Sequence, residues 1–365
     1  MFELIKNYPA VYAVGDDYQI TVMSKCEMLV SVIVDGKRYF DESNGIIRSG
    51  KHVHKVSVPI KKLDKSKKYT IVIRKVNERR AYHSQCDDEV TFDFDFKPVG
   101  DGTINIYHIC DCHGKSETPI KAAEYMKNMD LLILNGDMPN DVNTPEEFDI
   151  IHEVAGSVTK GNIPVVCARG NHDNRGKCAE DAAVYMPSQN GNLFYSFRLG
   201  ALWGVVLDRG EDRADDLPMY GNVVCFTQYR HKQTAFLERI VENGEYKEEG
   251  ITKRIVVCHT PFMYAYDAPF DVDSDVNMRW CELLREVKPN FMLSGHHHTT
   301  EVIYPGHKHD RFGQPCPIIF GSNPCMKLEN EDKFIGCGIK FGDDNIEVTF
   351  NDNNHEICGS ETLKK

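Results

Sequence analysis

Five short apolar segments between residues 103 and 294 each end at a cluster of Asp, Asn or His side chains. In chain order the clusters are Asp111-Cys112-His113-Gly114, Asn135-Gly136-Asp137, Gly170-Asn171-His172-Asp173, Cys258-His259-Thr260-Pro261 and Ser294-Gly295-His296-His297-His298. One such cluster is more often a polar turn than a functional site. The carboxyl ends of parallel strands lie along one edge of a sheet, so five clusters in series can converge on one site. This recurrence predicts an α/β fold with a site at the strand ends.

The segments between the clusters support that prediction. Strand-like segments at 103–110, 131–134, 163–168, 193–197, 202–207, 254–258 and 291–293 alternate with helix-like segments at 117–129, 145–158, 231–242 and 276–287. Strands that alternate with helices indicate an α/β architecture. The tail from residue 302 to residue 350 is again rich in strand formers. We therefore expect residues 99–365 to form one α/β domain.

Residues 1–98 have a different pattern. Short, β-branched and largely alternating segments lie at 18–23, 29–34, 53–58, 69–73 and 90–96, separated by polar connections such as the lysine-rich segment 61–68. Several strands at this spacing predict a small all-β sandwich of the fibronectin type III or immunoglobulin kind. Lys97–Gly102, with one proline and two glycines, reads as a linker. The first domain carries no titratable cluster, which favours a structural or protein-binding role.

Composition narrows the class of protein. The net charge of −12 argues against general binding to nucleic acid or to anionic membranes. We expect no amino-terminal signal sequence, because the first residues lack a charged segment followed by an apolar one, and no transmembrane helix, because no apolar run is long enough to cross a membrane. The 13 cysteines are scattered, and several lie in apolar segments, as reduced buried thiols do. We expect a cytoplasmic protein.

The residue types of the clusters indicate transition metals. Carboxylate, amide and imidazole donors together suit Mn, Fe or Zn, and the sequence does not distinguish among the three. There are too many candidate ligands for one tetrahedral ion, whereas their number suits two ions that share a carboxylate. The inventory is two Asp, one Asn and several His side chains, seven candidate ligands in all.

The series DxH, GD, GNHD, H and GHHH resembles the calcineurin-like metallophosphoesterase superfamily over roughly residues 103–350. The resemblance implies a two-sheet β-sandwich flanked by helices, with two metal ions at the strand ends. Carried over by position, Asp137 bridges the two ions. The remaining ligands divide into one set of Asp111, His113 and His298 and a second set of Asn171, His259 and His296. His297, between two ligands on an extended segment, is expected to point the other way.

The resemblance also implies a reaction. The expected enzyme is a metallophosphoesterase that hydrolyses a phosphomonoester or phosphodiester of a small molecule by attack of a hydroxide that bridges the metals. His172 would be the general acid that protonates the leaving group. Two alternatives remain at this stage: a nuclease, which the negative charge disfavours, and a non-catalytic binding protein on the same fold, which the complete ligand set disfavours.

The chain departs from the family pattern at one informative place. Many members carry an Asp three residues after the bridging Asp, followed by Arg, whereas this chain has Asn140-Asp141. We expect a carboxylate to orient His172, and the candidates are Asp173 and Asp141. Arg169 and Arg209 are candidates for phosphate contacts, with an ion pair as the alternative. His307 and His309 are expected at the pocket rim.

Overall fold

The computed structural model describes residues 1–322 and 333–364. The strands are β1 Ala10–Val14, β2 Asp17–Met23, β3 Met28–Val34, β4 Lys37–Phe40, β5 Glu42–Ser43, β6 Ile46–Ile47, β7 Val53–Pro59, β8 Lys68–Arg79, β9 Ser84–Cys86, β10 Val90–Asp95, β11 Ile104–Ile109, β12 Leu131–Asn135, β13 Pro164–Ala168, β14 Tyr195–Leu199, β15 Leu202–Val206, β16 Lys253–Val257, β17 Phe291–Ser294, β18 Thr299–Ile303, β19 Ile318–Ser322, β20 Ile335–Phe341, β21 Asn345–Asp352 and β22 Ile357–Lys364. The α-helices are α1 Ile60–Ser66, α2 Glu117–Ala123, α3 Asp149–Thr159, α4 Ala182–Tyr185, α5 Phe226–Asn243 and α6 Ser274–Val287.

Two sheets form the centre of the molecule. One has nine strands in the order β22-β21-β20-β11-β12-β13-β1-β2-β7, and the other has six in the order β14-β15-β16-β17-β19-β18. Buried apolar side chains from both sheets, among them Ile133, Val166, Val257 and Leu293, belong to one continuous core. The sheets therefore pack face to face, and the predicted two-sheet sandwich is confirmed.

Helices cover the outer faces of this sandwich. A second core lies outside the six-stranded sheet, where Leu237 and Ile240 of α5 and Trp280 and Leu284 of α6 are buried. Both helices end at a residue in the left-handed conformation, Gly244 after α5 and Lys288 after α6, which is a common way to end a helix. Helices α2 and α3 carry their buried residues into the core of the nine-stranded sheet.

The first 98 residues are rich in strands, as predicted for a β domain. Strands β10-β8-β3-β4 make a separate sheet, and β1-β2-β7 oppose it. However, β1 also pairs in parallel with β13, with Val11 opposite Pro164 and Tyr12 opposite Val165. The hydrogen bonding of the nine-stranded sheet thus crosses the predicted boundary at residue 98.

Several local expectations differ from the structure. Strand Ala10–Val14 was not predicted, although all five of its residues are buried. Part of the expected connection at 61–68 is helix α1, because Ile60 and Leu63 are spaced to bury one face of a turn. Helix α2 ends at Ala123, well before the expected end at Met129. None of the described helices is long and apolar enough to cross a membrane.

Candidate metal centre

The polar clusters meet where the carboxyl ends of strands from both central sheets come together. Strands β11, β12 and β13 are parallel neighbours, and so are β16 and β17. Three groups of side chains hold their ligand atoms within 4.8 Å of one another; they are Asp111–His113–His298, His113–Asp137–His172 and Asp137–His259–His296. His113 and Asp137 each belong to two groups. One connected cluster results, with Asp137 between its two ends.

The contacts within the cluster join every predicted ligand. His113 Nε2 lies 3.1 Å from His298 Nε2, and His298 Nε2 lies 3.4 Å from Asp111 Oδ1. At the other end, Asn171 Oδ1 lies 2.9 Å from His296 Nδ1. His259 Nδ1 bonds to the carbonyl oxygen of Asn135 at 2.7 Å, which directs its Nε2 into the cluster. The structure therefore brings all seven predicted ligands together.

The donor set fits metal ions. Asp111 Oδ2 and His259 Nε2 are buried without a hydrogen-bond partner. His259 Nε2 is 3.1 Å from Asp137 Oδ2, but the contact does not have hydrogen-bond geometry. Buried acceptors that face one another without hydrogen bonds are costly unless a cation lies between them. Carboxylate, amide and imidazole atoms are the donors that Mn, Fe and Zn accept, so the residues fit the two ions that the sequence implied.

The protonation states also suit a cation site. Burial raises the pKa of the Asp137 carboxyl, but a positive charge on His259 and the backbone N–H of His172 outweigh burial and hold this pKa well below its usual range. Burial lowers the pKa of His259, but the Asp137 carboxylate outweighs burial and raises this pKa to about 10, so without metal the imidazole carries the positive charge that a metal ion would displace. Burial lowers the pKa of His113 to about 4, so its imidazole is neutral at pH 7. An ionised carboxylate beside a neutral imidazole is the state in which both side chains bind metal.

Five of the predicted ligands lie in an unusual backbone conformation. The φ angles are 55° at Asp111, 47° at His113, 51° at Asp137, 69° at His296 and 52° at His298. Side chains other than glycine rarely adopt this left-handed region, and such residues concentrate at functional sites. The turns after β11, β12 and β17 therefore lose local backbone stability in order to point these ligands inward.

The surroundings of His172 correct one expectation. A carboxylate was expected to orient this ring, but its Nδ1 bonds to the carbonyl oxygen of Asn140 at 2.8 Å. Asp173 instead accepts the backbone N–H groups of Asp137 and Gly170, each at 2.7 Å. Asp141 accepts the side-chain amide of Asn143. Asp173 thus stabilises the turn that carries Asn171 and His172, and Asp141 lies outside the ring contacts.

Sequence reasoning missed a sixth strand-end cluster, Asp208-Arg209-Gly210-Glu211-Asp212, which follows β15. Its acidic side chains hold basic groups of the site. Asp208 accepts Arg169 Nε at 2.7 Å, Glu211 accepts Arg175 Nε at 2.8 Å, and Asp212 Oδ2 lies 3.2 Å from His296 Nε2. The signal was present, because β15 was predicted as a strand and Asp and Glu follow it directly.

Arg169 and Arg209, the candidates for phosphate contacts, bond to other groups of the protein. Arg169 is the partner of buried Asp208, so the ion-pair alternative describes it. Arg209 is 1% exposed and donates to the carbonyl oxygen of Val272. His297 lies outside the metal groups, as predicted, and its ring stacks on Phe320. His309 stacks on Tyr264, whose ring also contacts that of His297.

The fold and the cluster together define a class: an α/β sandwich with a two-metal site at its strand ends. The chain belongs to the calcineurin-like phosphoesterase family, whose sequence model matches residues 104–300. The family therefore covers the five clusters and the strands that carry them.

Known proteins resemble the chain in fold. It is similar to a purple acid phosphatase from seeds of yellow lupin, Lupinus luteus, with a TM-score of 0.61 at 14% identity, over 99% of this chain and 75% of that one. It is also similar to PhoD, with a TM-score of 0.56 at 11% identity, over 98% of this chain and 88% of that one. A probable cyclic nucleotide phosphodiesterase of Fibrobacter succinogenes is 31% identical over 77 residues, which are 21% of this chain and 28% of that protein.

Proposed function

We propose that this protein is a metal-dependent phosphoesterase that hydrolyses a phosphomonoester or phosphodiester of a small molecule. The observation that carries the proposal is the convergence of seven ligand side chains from five strand ends, with buried acceptors unpartnered among them. One ion would be held by Asp111, His113 and His298 and the other by Asn171, His259 and His296, with Asp137 shared. When bound, two such ions activate water for attack at phosphorus and neutralise the phosphate oxygens.

His172 is proposed as the residue that gives a proton to the leaving oxygen. Its ring meets that of His113 edge-on at a centroid distance of 4.6 Å, which places it beside the cluster. The Asn140 carbonyl fixes Nδ1, and the backbone N–H of His172 donates to Asp137 Oδ1 at 2.7 Å. These two bonds fix the ring beside the cluster, where Nε2 accepts a hydrogen bond from Arg175 Nη1 at 2.8 Å. To act as the acid, the ring would first take up a proton on Nε2. Asp173 acts indirectly, through the turn that it stabilises.

Other features support the finer parts of the proposal. The cysteines of the described residues are all free thiols, which supports a reducing compartment such as the cytoplasm; Cys325 lies outside the described residues. The opposed sheets β1-β2-β7 and β10-β8-β3-β4 support a fibronectin-like sandwich for residues 1–98. The pairing of β1 with β13 supports a structural role for residues 1–98, in addition to any binding of a protein partner.

The test combines metal analysis with activity on p-nitrophenyl phosphate and bis(p-nitrophenyl) phosphate. We expect wild type to bind transition metal, Asp137→Asn to lose metal, and His172→Ala to keep metal while kcat falls by about 10²–10⁴-fold. Exposed His355, changed to Ala, is the matched control. A protein that binds no transition metal, or variants at 137 and 172 with full activity, would refute the proposal; metal binding without hydrolysis would indicate a binding protein instead.

A further inference from the structure

The guanidinium group of Arg175 lies at the edge of the cluster. Arg175 follows the 3-10 turn His172–Asn174, and its Nη1 is 2.8 Å from His172 Nε2. Its side chain is 42% exposed, so the group is accessible from solvent. A cation therefore stands directly beside the nitrogen that is proposed to face the leaving oxygen.

Glu211 holds the opposite edge of the same guanidinium. Its two carboxylate oxygens accept Arg175 Nε at 2.8 Å and Nη2 at 3.2 Å. Glu211 is 2% exposed, and its carbonyl oxygen accepts Arg230 Nη2 at 2.6 Å. An arginine has five N–H donors in a planar fork, so this paired contact fixes the plane. Of the two N–H groups on Nη1, His172 Nε2 accepts one and the other is left for a further acceptor.

Arg175 places a cation near the cluster, where the chain lacks the arginine expected from the family pattern. The family resemblance implies an Arg shortly after the bridging carboxylate, where this chain has Asn140-Asp141. Of the other candidates, Arg169 is partly buried and bonds to Asp208, and Arg209 is buried and bonds to the Val272 carbonyl. Arg175 comes from a different strand end, yet it faces the cluster.

We propose that Arg175 binds a phosphoryl oxygen of the substrate at this site and that Glu211 holds it in position to do so. The inference rests on the proposed function, because it takes the cluster as the phosphate site. A hydrogen bond from a guanidinium to a phosphate oxygen is charge-assisted and strong. The preferred ligand is a terminal phosphate, since a dianionic monoester attracts this cation more than a monoanionic diester does.

The experiment measures binding of inorganic phosphate to the full-length, Mn²⁺-loaded protein by calorimetry, together with the kinetics of both nitrophenyl esters. We expect Arg175→Gln to bind phosphate about 10–100-fold more weakly with unchanged metal content. KM should rise more for the monoester than for the diester. Arg175→Lys should recover part of the affinity, because it restores the charge without the fork.

Arg198→Gln is the matched control, since Arg198 is also an exposed arginine paired with a glutamate, 40% exposed and bonded to Glu248 at 2.7 Å. It should bind phosphate like wild type. Unchanged phosphate affinity in Arg175→Gln together with a lower kcat would overturn the inference, because Arg175 would then only position His172. Loss of metal in that variant would overturn it too. A wild-type protein that binds phosphate but hydrolyses neither ester would refute the proposed function alone, because the calorimetric comparison needs no turnover.

Discussion

His296 is fixed at both of its ring nitrogens. Nδ1 faces Asn171 Oδ1 at 2.9 Å inside the cluster, while Nε2 lies 3.2 Å from Asp212 Oδ2. A metal ligand must offer an unprotonated nitrogen, so the proton belongs on Nε2, where Asp212 accepts it. Such carboxylate–histidine pairs set the tautomer of the ligand and increase its basicity. Asp212 is therefore a positioning residue for the Asn171–His259–His296 end of the cluster.

We predict that Asp212→Ala weakens binding of one of the two ions by about 10–100-fold. Asp212→Asn should lose less, because its side-chain oxygen still accepts the Nε2 proton. Calorimetric titration of the metal-free protein with Mn²⁺ resolves the weaker ion. Asp216→Ala, an exposed acid on the same loop, is the control and should leave both affinities unchanged. Equal affinities in wild type and Asp212→Ala would show that Asp212 does not support His296.

At the residue scale, the sequence predicted the ligand types but not their supports. The seven candidates could be found because each follows an apolar segment directly in the chain. The partners of these residues come from distant segments: Asp212 reaches His296, and the Asn140 carbonyl reaches His172. A backbone carbonyl leaves no mark in a sequence, and the carboxylate expected at His172 was wrong for that reason.

Each turn after a strand packs against the next turn along the sheet edge. Gly136, at φ +79°, precedes Asp137, the proposed bridging ligand, and a Cβ there would lie 2.6 Å from the Gly170 backbone and from His259 Cγ. Gly170 needs no left-handed angle; a Cβ on it would lie 2.3 Å from the Asp137 backbone nitrogen. The GD and GNHD segments thus need glycine because their backbones touch, and this contact places Asp137 beside Asn171.

We predict that Gly136→Ala destabilises both the fold and the metal centre. The positive φ costs about 1–2 kcal/mol, and displacement of the neighbouring turn and His259 costs about 1–3 kcal/mol more. Gly114→Ala separates the two effects, because Gly114 has φ +80° with nothing within 4 Å of its added Cβ. Urea unfolding and metal content measure both variants. Gly114→Ala should keep its metals; equal losses of metal in both would show that backbone angle alone matters.

At the element scale, the strands predicted correctly are those whose apolar sequence pattern matches their buried position in the fold. The strands β11, β12, β13, β16 and β17 were expected within a residue or two, because each is short, apolar and ends at a polar cluster. Strand β1 was not predicted, although it lies between β13 and β2 in the largest sheet. Its five residues follow a proline and do not alternate between apolar and polar side chains. They do not alternate because β1 has a neighbouring strand on each side and both of its faces are buried.

At the scale of the whole molecule, one strand pairing that no local sequence pattern predicts connects the amino-terminal region to the rest. It is the parallel pairing of β1 with β13. It joins residue 11 to residue 164 and makes the amino-terminal strands part of the central sheet. The sequence predicted a β region followed by an α/β region, and the structure has both. The boundary at residue 98 remains a prediction about folding units, since a pairing over such a separation depends on tertiary packing rather than on the composition of either strand.

A buried chain of hydrogen bonds supports this junction. Tyr12 of β1 bonds through its hydroxyl to His152 Nδ1 at 2.9 Å, and His152 Nε2 bonds to the carbonyl oxygen of Tyr185 at 2.7 Å. The ring therefore carries its proton on Nε2 and accepts the tyrosine proton on Nδ1. A second proton would reverse the bond with Tyr12, whose hydroxyl would then accept from Nδ1, and would leave a charge in the core, where His152 is 2% exposed.

The junction should consequently make the stability of the protein depend on pH. Burial lowers the pKa of His152 from 6.5 to about 4 in the folded state. Between these two values the unfolded chain binds a proton that the folded chain does not, so stability is full above pH 6.5 and decreases as the pH falls toward 4. The expected loss is about 2 kcal/mol between pH 7.5 and pH 5.0.

Urea unfolding at different pH values tests this prediction, and EDTA in the buffer keeps metal release from contributing to the measured stability. In His152→Gln, whose amide can replace both hydrogen bonds, this part of the pH dependence should vanish, whereas His355→Gln, changed at an exposed histidine, should follow wild type. If His152→Gln shows the wild-type slope, His152 is not the group that couples the junction to pH.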